Sequence, residues 1–101
     1  MPFRPYEPGE LFADTYRIDA PLGEGGFAVV YAATEVALQR PVALKLLKPE
    51  GAGYAPQTRA RFRRELRALS KLQGPHTIRM YNHGVTTDGL LYAVFEHVPG
   101  V

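Results

Sequence analysis

Residues 23–26 read Gly-Glu-Gly-Gly, and the segments on both sides of this break have the pattern of strands. Ahead of it, residues 16–22 alternate and carry Tyr16 and Ile18. Behind it, residues 27–34 read FAVVYAAT, a β-branched and aromatic run that is a poor helix start and a good strand. The chain therefore turns back on itself at the glycines, as a strand, a glycine-rich loop and a second strand.

The rest of the chain extends this pattern. Residues 38–41 (Leu-Gln-Arg-Pro) read as a turn, and residues 42–47 (VALKLL) as a third strand. Residues 48–56 hold two prolines and two glycines and read as a loop. Residues 58–72 form the one strong helical pattern, with Phe62, Leu66, Leu69 and Leu72 at helical spacing. Thr58 is placed to cap its start, and Gly74-Pro75 ends it. Residues 77–85 and 90–98 read as a fourth and a fifth strand around Thr87-Asp88-Gly89, whose Asp-Gly step suits a hairpin turn. The expected fold is α+β: a five-stranded antiparallel sheet with one helix, behind an extended lead-in over residues 1–15.

The 101 residues suffice for one small domain. There is no cysteine, so disulfides and thiolate metal sites are excluded. Residues 1–10 lack the apolar stretch of a secretory signal, and no apolar run reaches the ~20 residues of a membrane span. The simplest expected location is the cytoplasm, with any membrane anchor outside this sequence. The net charge of +2 conceals an asymmetry. Arg59, Arg61, Arg63, Arg64, Arg67 and Lys71 crowd one segment beside the single acid Glu65, while the remainder has six basic and nine acidic residues. Nucleic-acid binding is the rival reading of such a segment. The apolar residues claim one face of the helix, so a solvated outer face of arginines is the favoured reading.

Three features carry chemistry. Gly23-x-Gly25-x-x-Ala28-x-Val30 suits phosphate, because phosphate oxygens accept from backbone N–H groups where no Cβ intrudes. An ordinary glycine hairpin turn fits the same residues. A dinucleotide fold would lead from the glycines into a helix, and a P-loop would continue with Gly-Lys-Ser/Thr; neither occurs here. Lys45 stands mid-strand among apolar residues, where a buried ammonium needs an anion. The solvent face of an edge strand is its plainer reading. Glu65 falls with Phe62, Leu69 and Leu72 at i, i+3, i+7 and i+10, on the face that otherwise packs inward. A marginal position reaching water is the plainer reading there. One inward cation and one inward anion in so small a domain invite pairing.

Together these stretches make the chain resemble the N-terminal lobe of bacterial eukaryotic-like (Hanks-type) serine/threonine protein kinases. The resemblance is carried by LGEGGFAVVY (residues 22–31), VALK (42–45), FRRELRALSKL (62–72) and YAVFEHVPG (92–100), in the family's order and spacing. It covers residues 16–101, which would be an incomplete kinase domain ending at the hinge. It implies that Gly23, Glu24, Gly25, Gly26, Phe27, Ala28 and Val30 cover the phosphates of ATP. Lys45 would contact the α- and β-phosphates and pair with Glu65 on the αC helix. Leu22, Val30 and Ala43 would sandwich adenine, and Phe95 would be the gatekeeper. The hinge would be Glu96, His97 and Val98, with the Glu96 C=O accepting from adenine and the Val98 N–H donating to it.

Two departures stand out. Ala28 replaces the third glycine and adds only a methyl group. More seriously, the catalytic HRD and DFG motifs are missing. Asp14, Asp19 and Asp88 are the only aspartates, and Asp88 sits in a turn. His76, His83 and His97 read as structural or exposed. The base and the Mg²⁺ ligands would then belong to the complete domain, with no metal site in this chain, and phosphoryl transfer to protein Ser/Thr is not expected of the chain alone. The expected partners are ATP, a C-lobe or other protein on the exposed lobe face, and a protein substrate in the complete kinase. The alternative is a stand-alone, pseudokinase-like protein-interaction module.

Overall fold

Apolar and polar residues alternate along the strands, and the alternation decides which face of the sheet each side chain occupies. The computed structural model describes residues 6–24, 28–48, 56–71, 79–87 and 89–97, with helix side chains described at 56–64 and 67. Six strands form one sheet: β1 (Leu11–Phe12), β2 (Tyr16–Glu24), β3 (Ala28–Glu35), β4 (Arg40–Leu47), β5 (Met80–Val85) and β6 (Leu91–Glu96). Their spatial order is β1-β2-β3-β4-β6-β5, and every pairing is antiparallel. Helix α1 (Pro56–Lys71) connects β4 to β5.

The α+β class, the antiparallel sheet and the single helix agree with the sequence reading; the strand count does not. The extra strand, β1, lies inside the segment expected to be a lead-in. Ala13 (φ 53°) and Asp14 (φ 55°) take left-handed backbone and turn the chain so that Leu11 and Phe12 pair with Arg17 and Tyr16. Left-handed alanine is unfavourable and leaves no composition signal. The turn between β3 and β4 also comes earlier than expected. It occupies residues 36–39, with Gln39 at φ 50°, while Arg40 and Pro41 already pair with Glu35 and Thr34. The helix starts at Pro56, so Thr58 lies within its first turn rather than capping it. Proline suits that first position, where its missing N–H costs nothing. Gly89, at φ 91°, closes the β5–β6 turn: its N–H donates to Thr86 O at 3.0 Å. Asp88, and the expected strand positions 77 and 78, lie outside the described residues.

Two apolar clusters lie on opposite faces of the sheet. On the back face, Ile18, Tyr31, Val42, Leu44, Leu46 and Val94 are almost fully buried, joined by Phe12 and Tyr16. Burying each large side chain contributes about 1.5–3 kcal/mol. The N-terminal segment straps this face. Gly9 N–H donates to Ile18 O at 2.7 Å, and Ile18 N–H donates to Glu10 O at 2.8 Å. Tyr6 N–H donates to Tyr31 Oη at 3.0 Å, and the Tyr6 ring meets Phe12 and Tyr31 edge-on. On the front face, Phe62 anchors α1 against Leu47, Leu91 and Ala93, with Met80 and Phe95 packed alongside.

Candidate functional site

Strand register assembles the site on the front face. Residues paired directly across a ladder point the same way. Gly23 pairs with Val30, Val30 with Lys45, and Lys45 with Ala93, forming one row across four strands. The neighbouring row runs Ala32, Ala43, Phe95 and Met80. Val30, Ala43, Lys45 and Phe95 are each half-buried, between the covered core and open solvent. A lysine, two small or branched side chains and an aromatic ring thus share one surface. Its middle is apolar and it carries one cation.

Lys45 is therefore on an interior strand of the sheet, not on an edge, and it shares the face against which α1 packs. No ion pair among the described residues includes it. The Glu65 side chain lies outside the described residues, as do Gly25, Gly26, Phe27 and Val98. Ala28 opens β3 opposite Leu47, with its methyl group half-buried. Gly23 has open space where a Cβ would stand. Leu22 sits at a register shift between Pro21 and Gly23, and is 50% exposed. It borders a cleft on the strap side together with Tyr6, Val29 and Tyr31, rather than standing in the front-face rows. Glu96 and His97 are half-buried at the end of β6, where Glu96 N–H donates to Arg79 O at 2.8 Å. The Glu96 carboxylate accepts from Arg79 N–H at 3.0 Å, so β6 and the residue preceding β5 are tied at this end.

One contact at the site has no sequence signal. Lys48 Nζ lies 2.9 Å from Glu24 Oε2, tying the end of β4 to the first residues of the glycine loop. Twenty-four positions separate the two in sequence, and charge alone does not distinguish this pair from others. Among the described residues, no group of three or more His, Asp or Glu side chains could hold a metal ion. None of the described helices is long and apolar enough to cross a membrane.

A protein kinase domain model matches residues 16–101. The chain belongs to the protein kinase family. It is 37% identical over 92 residues to the serine/threonine-protein kinase pkn3 of Myxococcus xanthus, covering 91% of this chain and 17% of that protein. It is 37% identical over 93 residues to the serine/threonine-protein kinase PrkC of Bacillus subtilis, covering 92% of this chain and 14% of that protein. The fold matches a kinase-domain crystal structure with a TM-score of 0.76 at 15% identity, covering 92% of this chain and 27% of that one. The chain thus corresponds to the N-lobe of a Hanks-type kinase and spans under one fifth of the length of these two curated relatives. The extra strand β1 lies ahead of the matched region.

Proposed function

We propose that this chain is the ATP-binding lobe of a serine/threonine protein kinase, and that ATP lies against the front face of the sheet. The observation that carries the reading is the pair of front-face rows, Gly23–Val30–Lys45–Ala93 and Ala32–Ala43–Phe95–Met80. An adenine ring needs a flat apolar surface, and Val30 and Ala43 supply one beside the Phe95 ring. Phosphates need cations and backbone donors, and Lys45 and the Gly23 end of the loop stand in the same row. Lys45 holds the phosphate charge, and Glu65 orients the ammonium from α1. The Glu24–Lys48 pair anchors the loop at its β2 end.

In the complete kinase, Mg²⁺ neutralises phosphate charge and ATP supplies the phosphoryl group for a protein Ser or Thr. The residues of this chain bind and orient the nucleotide. The base and the metal ligands come from motifs absent here, so the lobe alone binds ATP weakly and transfers nothing. The test is a titration of the isotopically labelled chain with ATP to millimolar concentration, followed by amide chemical shifts. Changes are expected at Gly23, Val30, Ala43, Lys45 and Phe95, and they vanish in Lys45→Met. Changes centred on the opposite face, at Val29, Tyr31 and Leu44, or none at all, would sink the reading.

A further inference from the structure

The N-terminal strap follows β2 for only a few residues. Gly9 and Glu10 bond the backbone of Ile18, continuing the short β1–β2 ladder. Residues 7–10 form a turn, in which Glu10 N–H donates to Glu7 O at 3.0 Å. Pro8 and Gly9 hold its central positions, and Gly9 takes φ 94°. A turn with positive φ at its third residue favours glycine there, and proline suits the place before it. Traced back from β1, the chain therefore turns away from β2 and onto the back face, where the Tyr6 ring meets Phe12 and Tyr31.

This turn has two consequences. The first is an open sheet edge. Residues 19–24 of β2 are all exposed, one side of the stretch pairs with β3, and no strand among the described residues pairs with the other side. Such an edge offers a row of backbone N–H and C=O groups to any extended chain. Pro21 supplies no N–H, but Ala20, Leu22, Gly23 and Glu24 do. The second is a cleft of about 470 Å³ between the strap and β2, within the size range of ligand clefts, about 300–1,000 Å³. Val29 and Tyr31 line it from the back-face core, Tyr6 from the strap and Leu22 from β2.

The charge here is one-sided. Glu7 and Glu24 are the charged residues that line the cleft. Residues 6–24 carry Glu7, Glu10, Asp14, Asp19 and Glu24 against the single base Arg17. Glu24 holds Lys48 at 2.9 Å, yet its side chain remains 62% exposed and open to a second cation.

We propose that the open edge of β2 and the cleft beside it bind an extended basic peptide segment of a partner protein. The segment adds as a strand along residues 20–24, and one apolar side chain enters the cleft against Tyr6, Leu22 and Tyr31. Cations two places to either side of that anchor share its face, toward Glu7 and Glu24. The strand edge selects an extended chain over a compact ligand, and the carboxylates repel acidic partners and nucleic acid. The inference is independent of the nucleotide reading: the cleft lies on the back face of the sheet, and its test contains no nucleotide.

The test uses the full chain and a fluorescein-labelled peptide whose core reads Lys-Thr-Phe-Thr-Lys. Fluorescence anisotropy at low salt is expected to show saturable one-to-one binding, with amide shifts at Ala20, Leu22, Gly23 and Glu24. Exchanging both peptide lysines for glutamate should abolish binding, and exchanging Phe for Gly should weaken it about tenfold. Glu7→Gln and Glu24→Gln should each weaken it about two- to fivefold, the range of exposed charge pairs. Leu22→Ser should act in the same direction. Only alternate residues of an added strand bond the edge. Of two further peptides, N-methylated at both Thr or at Phe and both Lys, at least one should therefore lose binding. Circular dichroism checks that each variant is folded. The proposal is overturned by absent binding, by shifts elsewhere, by equal binding of the glutamate peptide, or by indifference to Glu7→Gln and Leu22→Ser in folded variants. Retained binding of both N-methylated peptides also overturns it. So does a dimer of the unliganded chain with the same amide shifts, which would give the edge to a second copy.

Discussion

Val30 and Lys45 stand directly opposite each other across the β3–β4 ladder, their side chains on the same face of the sheet. The pairing joins the strand that leaves the glycine loop to the strand that carries the cation. The ladder thereby fixes where the Gly23 end of the loop and the Lys45 side chain stand relative to each other.

Replacing Lys45 by Met tests the consequence. The side chain is half-buried and outside both apolar clusters, so the melting temperature should change by no more than a few degrees. Nucleotide binding, in contrast, should fall by tenfold or more. Glu65→Gln should act in the same direction and more weakly. Equal ATP affinity in wild type and Lys45→Met, measured by titration calorimetry, would remove Lys45 from the site.

Tyr31→Phe tests the N-terminal strap. The hydroxyl accepts from Tyr6 N–H at 3.0 Å, and the ring is 2% exposed. Loss of this bond should cost about 1 kcal/mol in urea unfolding. Amide exchange at Tyr6 should accelerate while that of Leu44 follows only the global change. Unchanged protection at Tyr6 would mean that the bond does not hold the strap.

Gly84→Ala probes the close packing of β5 against Tyr92 of β6. The added methyl group would meet Tyr92 Oη at 2.9 Å and Cζ at 3.2 Å. The Tyr92 ring is held edge-on against Phe12, with centroids 5.1 Å apart, so it cannot swing away freely. A destabilisation of about 1–3 kcal/mol is expected. Tyr92→Phe should relieve part of it, because it deletes the nearest atom and leaves the ring. Additive costs in the double variant would show that the two residues do not interfere.

Arg40→Lys isolates geometry from charge at the β3–β4 turn. The Arg40 guanidinium donates from Nε to Glu35 Oε1 at 3.0 Å and lies 3.6 Å over the centre of the Tyr81 ring. Lysine keeps the charge but cannot fork or stack in this way. A loss of about 0.5–1.5 kcal/mol is expected, with Glu35 17% exposed and therefore only partly screened. Arg40→Lys with wild-type stability would show that the charge alone suffices.

Much of this protein was legible in its sequence, for a physical reason. Alternation over residues 42–47, the glycine break at 23–26 and the helical spacing of 62–72 are local signals, and local sterics enforce them. They led to an antiparallel sheet with one helix, and the motif order led to the kinase family. What stayed hidden depended on contacts between distant residues or on backbone that composition does not encode. β1 exists because Ala13 and Asp14 accept left-handed angles, a cost repaid by pairing with β2. Pro41 enters β4 because it lies opposite Thr34 in the ladder, where the sequence suggested a turn. Thr58 lost its capping place to a helix that began at Pro56.

The sequence by itself determined the strand and helix periods, the glycines and the cation, because each is a property of a few neighbouring residues. Tertiary structure alone decided which of these meet. Register put Gly23, Val30 and Lys45 in one row, and moved Leu22 to a shift in the ladder beside the strap. A one-residue slip would have sent Lys45 to the back face and Leu44 to the front. The burial of Val42, Leu44 and Leu46 on the back face forbids that slip. The seating of Phe62 against β6 likewise opens a groove beside Arg63 and Arg67, which no spacing within the helix could announce.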